Sequence, residues 1–177
     1  MNNGNGLNGL SNVKPIRWRP EHDDQVQLIK VQAKEVLDHH WPWVRDRLAV
    51  IKKKDKSVDG WQPDHIRIQI VQGLMAPIPY PVELWFGVDS DSAIEGFIVT
   101  NTRFDNFVQL PAAWQVWLAW GNKKLLERLA APFKEIARQR YYPAIEFITG
   151  RRGWIHPKKA AEMGFSIKCI TYRMELK

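Results

Sequence analysis

The chain has 177 residues, 45% apolar and 11% aromatic, which fits one domain with room for a real core. Its single cysteine, Cys169, excludes an internal disulfide, a paired-cysteine zinc site and a CxxC redox motif, and no metal site is expected. The net charge of +7 is C-terminal: residues 121–177 hold 13 Lys and Arg against 5 Asp and Glu, whereas residues 1–120 hold 13 against 14.

Residues 1–12 are dominated by Asn and Gly, which bury too little to offset their ordering entropy, so a mobile tail is expected before a single domain over 13–177. Lys14 to Arg19 offers a short strand. Val26, Ile29, Ala33, Val36, Leu37 and His40 then recur at helical spacing, which predicts a first helix through about His40, interrupted at Trp41-Pro42. Val44, Leu48 and Ile51 resume the helical spacing. Trp61 to Leu74 fits two patterns, since Ile66, Ile68 and Ile70 alternate while Ile66, Ile70 and Leu74 form a helical stripe after Pro63.

From Val82 the pattern is extended: Val82–Val88, an Asp89–Ser92 turn and Ala93–Thr102 predict a hairpin, and Trp114–Trp120 a third strand ending at Gly121-Asn122. Lys123 to Tyr141 carries Leu125, Leu129, Phe133, Ile136 and Ala137 on one helical face. Pro132 either kinks that helix or starts a second one. Ala144–Ile148 returns as a strand, Pro157–Met163 reads as a short helix stopped at Gly164, and Ile167–Leu176 as a last strand. No apolar run reaches the roughly 18 to 20 residues of a membrane span, and the start lacks the order of a signal peptide. A soluble, non-exported chain in a reducing compartment is expected.

This order, with Trp61-x-Pro-x-His65-Ile66, Leu84-Trp85, Glu95-Gly96, Ile145-Glu146, the Gly150-Arg151-Arg152-Gly153-Trp154 loop and the Gly164-Phe165 stop, resembles the GNAT acetyltransferase superfamily. Within it, the chain looks most like the small GNAT-like proteins of tailed bacteriophages. The resemblance implies an α+β fold with a mixed central sheet of about six to seven strands flanked by helices, and tips 61–74 towards a helix. It also implies an acetyl-CoA-dependent N-acetyltransferase working in the host cytoplasm, on a small-molecule or protein amine.

Such enzymes hold the cofactor's pyrophosphate where a strand meets the next helix. Free N–H groups and the helix dipole favour an anion there. In this chain that place is Trp120, Gly121, Asn122, Lys123 and Lys124, although the usual Arg/Gln-x-x-Gly-x-Gly/Ala signature is absent. Many relatives carry a thiolate-protonating Tyr four residues before the Gly of the Gly-Phe stop, where this chain has Ala160. Glu146, Tyr172 and His156 are the candidate acid–base groups, with Glu83 and Glu95 as further carboxylates. The missing signatures leave a second reading open: a degenerate, virion-associated phage component of the same fold, binding other particle proteins or nucleic acid through its basic C-terminal part.

Overall fold

The computed structural model describes residues 26–54, 60–76, 79–105, 107–121, 123–147, 161–162 and 164. Five strands and three helices follow in the order β1 (Gln27–Lys30), α1 (Lys34–Lys54), α2 (Pro63–Met75), β2 (Glu83–Val88), β3 (Ile94–Phe104), β4 (Pro111–Trp120), α3 (Lys123–Gln139) and β5 (Ile145–Phe147). The strands form one sheet in sequence order, antiparallel from β1 to β4, with β5 added parallel to β4. A mixed α+β sheet flanked by helices is the expected fold class. Five strands are seen among the described residues against six to seven expected. The predicted strands at 14–19 and 167–176, the 1–12 tail and most of the 157–163 helix lie outside the described residues.

Side-chain alternation divides the core into two layers. On one face Leu84, Phe86, Val88, Phe97, Val99 and Leu118 pack with Leu37, Trp41, Val44 and Leu48 of α1 and with Ile66 and Ile70 of α2. On the other face Leu28, Trp85, Ile98, Trp114 and Val116 pack with Leu125, Leu129, Phe133 and Ile136 of α3. The β4–α3–β5 crossover is what allows β5 to lie parallel to β4, since parallel neighbours need a connection long enough to return.

Two expectations for the first helix are overturned. Residues 27–30 form a strand paired with β2, and α1 begins only at Lys34. Leu28 and Ile29 serve opposite core layers, an arrangement a strand permits between neighbours and one helical stripe does not. Nor does Pro42 interrupt the helix: α1 runs through it from Lys34 to Lys54. Pro42 is exposed while Trp41 and Val44 on either side are buried, so packing holds the helix across the lost amide bond.

Residues 61–74 are resolved in favour of helix. Pro63 opens α2 at a position that needs no amide, the Gln62 N–H donates to His65 Nδ1 at 3.3 Å, and Ile68 lies on the exposed side of the Ile66/Ile70 stripe. Pro132 falls inside an unbroken α3, so no second helix starts there.

Candidate active site

The strand pairing locates the irregularities in the sheet. Val99 pairs with Leu118 and Thr100 with Val116, so Trp117 is an extra residue on β4. This bulge places Trp117 and Leu118 on the same face, and both pack on the α1/α2 side while Val116 stays on the α3 side. Among the described residues β5 pairs with β4 only at Trp114, Gln115 and Val116, and β4 runs on past the bulge to Trp120.

Beyond Trp120 the chain turns at Gly121 into α3, whose first turn carries no acidic residue. The glycines here are explained by packing. A Cβ on Gly121 would lie 2.6 Å from Leu125 Cδ2, and one on Gly96 would lie 2.4 Å from that atom and 2.4 Å from the Trp120 carbonyl oxygen. Leu125 is fully buried against both, which seats the start of α3 on the end of β4. An anion at this helix start would therefore be met by first-turn amides, with Gly121 serving the fold beneath them.

A polar row crosses the α1/α2 face one pleat before the bulge. Asn101 on β3 pairs with Gln115 on β4, and Gln115 pairs with Glu146 on β5. Gln115 is only 6% exposed, and Asn101 Oδ1 is buried with no hydrogen-bond partner among the described residues. Arg103, two residues along β3, reaches Glu146 across the strand between them, donating from Nε at 2.6 Å and from Nη2 at 2.8 Å. The residue opposite Arg103 on that strand is Ala113, small enough to let the guanidinium pass. The fork fixes the carboxylate's position.

The carboxylates elsewhere are differently placed. Glu83 is 6% exposed on the α3 side, takes Lys30 Nζ and Arg140 Nη1 at 2.6 Å each, and belongs to a closed ion triad. Arg140 in turn covers the Trp85 and Trp114 rings at 4.8 and 5.1 Å. Glu95 is the extra residue of a second bulge, between the Gly87/Gly96 and Val88/Ile94 pairs, and lies 3.8 Å from Arg128. On the helices, Lys34 and Arg67 both bond Asp38 and hold its carboxyl below the usual range. Burial pushes the His40 imidazole down, and His39 adds to this. Burial likewise pushes the Tyr142 phenol up; this ring stacks on Trp114 and its hydroxyl meets Thr102.

No family model matches the sequence, and no curated protein matches it significantly. Solved structures do match in shape. The ribosomal-protein-alanine N-acetyltransferase of Brucella melitensis biovar Abortus superposes with a TM-score of 0.55 at 13% identity, covering 86% of this chain and 100% of that one. An aminoglycoside N-acetyltransferase in complex with CoA gives 0.57 at 12% identity, covering 89% and 100%. A transcriptional regulator from Bacillus halodurans gives 0.56 at 12% identity, covering 86% and 100%. The chain has the acetyltransferase fold. At these identities the likeness concerns the fold alone, and the regulator is a reminder that function must be argued from the site.

Of the residues expected to carry chemistry, Glu146 stands in the polar row, bonded to Arg103. Trp120 and Gly121 mark the end of β4 and Lys123 and Lys124 open α3, with Trp120 half-buried against the α1/α2 layer. Asn122, His156 and Tyr172 lie outside the described residues, as does the 150–154 loop. Asn101, Arg103 and Gln115 were missed altogether. Their signal was present as a polar run closing an apolar strand and a lone Gln within Ala113–Trp117, but only the register joins them. Among the described residues no group of three or more His, Cys, Asp or Glu could hold a metal, and no helix is long and apolar enough to cross a membrane.

Proposed function

We propose that the protein is an acetyl-CoA-dependent N-acetyltransferase acting on a small-molecule or peptide amine. The observation that carries this reading is the polar row beside the β4 bulge: it puts a fixed carboxylate and two amides next to the strand end whose bulge re-aims its backbone. Acetyl-CoA, as substrate, would bring a thioester whose carbonyl carbon is the electrophile. The first-turn amides of α3 and the strand end at Trp117–Trp120 are the groups suited to its phosphates and its amide arm. An amine held at Asn101, Gln115 and Glu146 would attack that carbon, forming the C–N bond as the C–S bond breaks. The nitrogen's surplus proton would leave towards solvent or Glu146, and the thiolate would take up a proton from water. With a leaving thiol near pKa 8.5, no dedicated acid is demanded at neutral pH, consistent with Ala160 standing where relatives have a Tyr. The test is release of free CoA thiol with peptide and small-molecule amines across pH 6 to 9, about the range bracketing amine titration. Turnover that Glu146→Gln lowers supports the reading, and the absence of CoA binding by calorimetry at millimolar concentration defeats it.

A second reading, a non-catalytic component of the same fold, has one observation of its own. Asp105 accepts the Phe107 and Val108 amides and ties down the β3–β4 turn, which presents Phe107 at 94% exposure beside exposed Val108 and Leu110. A fixed apolar tip suits contact with another protein. The phage association rests on the sequence resemblance, and stable co-purification with a particle in a protein inactive towards every amine would favour it.

A further inference from the structure

We propose that Arg47 of α1, seated on the ring of Trp43, is an oxyanion-binding site that takes the carboxylate or phosphate group of a ligand. Arg47 has no part in the transferase reading, so the site stands or falls independently of it.

Every other arginine among the described residues has a carboxylate within reach, from Arg67 on Asp38 at 2.6 Å to Arg138 on Glu135 at 4.0 Å. Arg47 has none. The adjacent Asp46 goes to Arg45 at 3.7 Å, and Asp38 lies about two and a half turns back, on the opposite side of α1. The Arg47 guanidinium lies instead over the Trp43 ring, 4.2 Å from its centroid, and Nη1 donates to the Trp43 carbonyl at 3.1 Å. Nε is buried with no partner among the described residues, so the inner edge of the charge is cut off from water. The residue as a whole is only half-buried. A cation held in this way has lost hydration without gaining a counter-charge, and an anion at its outer edge would supply one.

Arg140 shows what is missing. It too lies over indole rings, at 4.8 and 5.1 Å, and it carries Glu83 at 2.6 Å. Arg47 repeats the aromatic seat and leaves the carboxylate's place to a ligand. Arg67 shares the buried, unmet Nε, but its charge is answered inside the protein by Asp38. The seat is also fixed: Phe86 and Phe97 hold Trp43 edge-on at 6.4 and 5.8 Å, and the bond to the helix backbone orients the guanidinium, so little freedom remains to be lost on binding. Along α1, His40 meets Phe86 of β2 and Trp43 meets both Phe86 and Phe97 of β3, so the helix crosses towards β4, with which it is in contact. Arg47 comes one turn further on. The β4 residue paired with Phe97 is Trp120, half-buried in the same layer, so an acid with a flat apolar body finds ring surface at this end of the sheet. Carboxylate and phosphate share the geometry required, since each accepts parallel N–H bonds from one guanidinium.

The experiment is NMR titration of the isotope-labelled full chain at constant ionic strength, without acetyl-CoA, using three probes of similar shape: benzoate, phenyl phosphate and the uncharged benzyl alcohol. The Arg47 Nε–H and Trp43 indole signals, assigned by their disappearance in Arg47→Gln and Trp43→Phe, should move to saturation with at least one acid at millimolar concentration and stay still with the alcohol. Arg47→Gln should weaken that acid at least about tenfold, as followed at the Trp43 indole, the loss expected of a hydrogen bond between charged groups. Arg47→Lys should weaken it less, keeping the charge and losing the fork. Arg45→Gln should bind as the parent does, which separates a site from general attraction to a basic helix. Saturation by benzoate alone identifies the ligand's group as a carboxylate and by phenyl phosphate alone as a phosphate, and either supports the site. It is overturned if neither acid moves the Arg47 signal, if phenyl phosphate moves only the first-turn amides of α3, if the alcohol binds as well as the acids, or if Arg45→Gln weakens binding as much as Arg47→Gln. The Arg47 signal of the parent decides the matter even should a variant fail to fold. No acetyl donor is present, so a silent titration leaves the transferase reading standing, and a protein without turnover can still bind the acids here.

Discussion

The two faces of the sheet both carry charged side chains, and they handle them in opposite ways. On the α3 side Glu83 is enclosed: Lys30 and Arg140 occupy it and Arg140 is itself spread over two indole rings. On the α1/α2 side the row is anchored differently, with one buried amide oxygen unmet among the described residues and a carboxylate that Arg103 holds from across the intervening strand. A closed cluster adds structure, whereas an open one keeps hydrogen-bonding capacity in reserve for something that binds. The difference teaches that burial and charge alone do not mark a site; unmet capacity does.

The largest effect should come from the closed side. Trp114 is 1% exposed, stacked on Phe133 at 4.1 Å and on Tyr142 at 5.8 Å between ring centres, and Trp114→Ala should cost about 3–5 kcal/mol by denaturant unfolding. Glu83→Gln should follow at about 2–3 kcal/mol, below the most severe broken pairs because Lys30 and Arg140 keep 29% and 32% of their side-chain surface in water. Glu146→Gln should cost less than about 1 kcal/mol, since Glu146 and Arg103 are both partly exposed, yet under the proposed function it should lower acetyl transfer at least tenfold. If Glu146→Gln destabilised the fold more than Glu83→Gln does, the distinction between closed and open clusters would collapse.

Asn101→Leu sharpens the comparison from the other direction. Removing an unmet buried oxygen should raise stability by about 1 kcal/mol while weakening amine binding, a gain that no residue of the closed triad should show. A fall in melting temperature would mean that the amide is satisfied in solution.

The smallest effect is a matter of pH. His40 lies against Phe86, and burial lowers its pKa below the ordinary 6.5. The unfolded chain then binds the proton first, so this contribution to stability is complete above about pH 6.5, is lost as pH falls below it, and levels off beneath the folded pKa. His40→Gln should flatten that part of the stability profile, as followed by thermal unfolding from pH 7.5 down to pH 5, about a unit or more either side of the titration.

The sequence by itself determined the meander, the helix after it, the returning strand and the α+β class, because those segments carry unmixed periodicities that local sterics and one-sided burial enforce. It determined Glu146 as a candidate too, but not its partner. The boundary between β1 and α1 was decided by tertiary structure. Val26 and Ile29 read as part of a helical stripe until β2 supplies an edge to pair with. Pro42 and Pro132 stay inside their helices because the packed residues around them hold the backbone, which local propensity cannot report. The polar row belonged wholly to the tertiary structure: Asn101, Gln115 and Glu146 are separated by 14 and 31 positions and meet only through strand register. The bulge at Trp117 was equally hidden, since one extra residue shifts which face each later side chain occupies, and no single strand's sequence reveals what its neighbour skips.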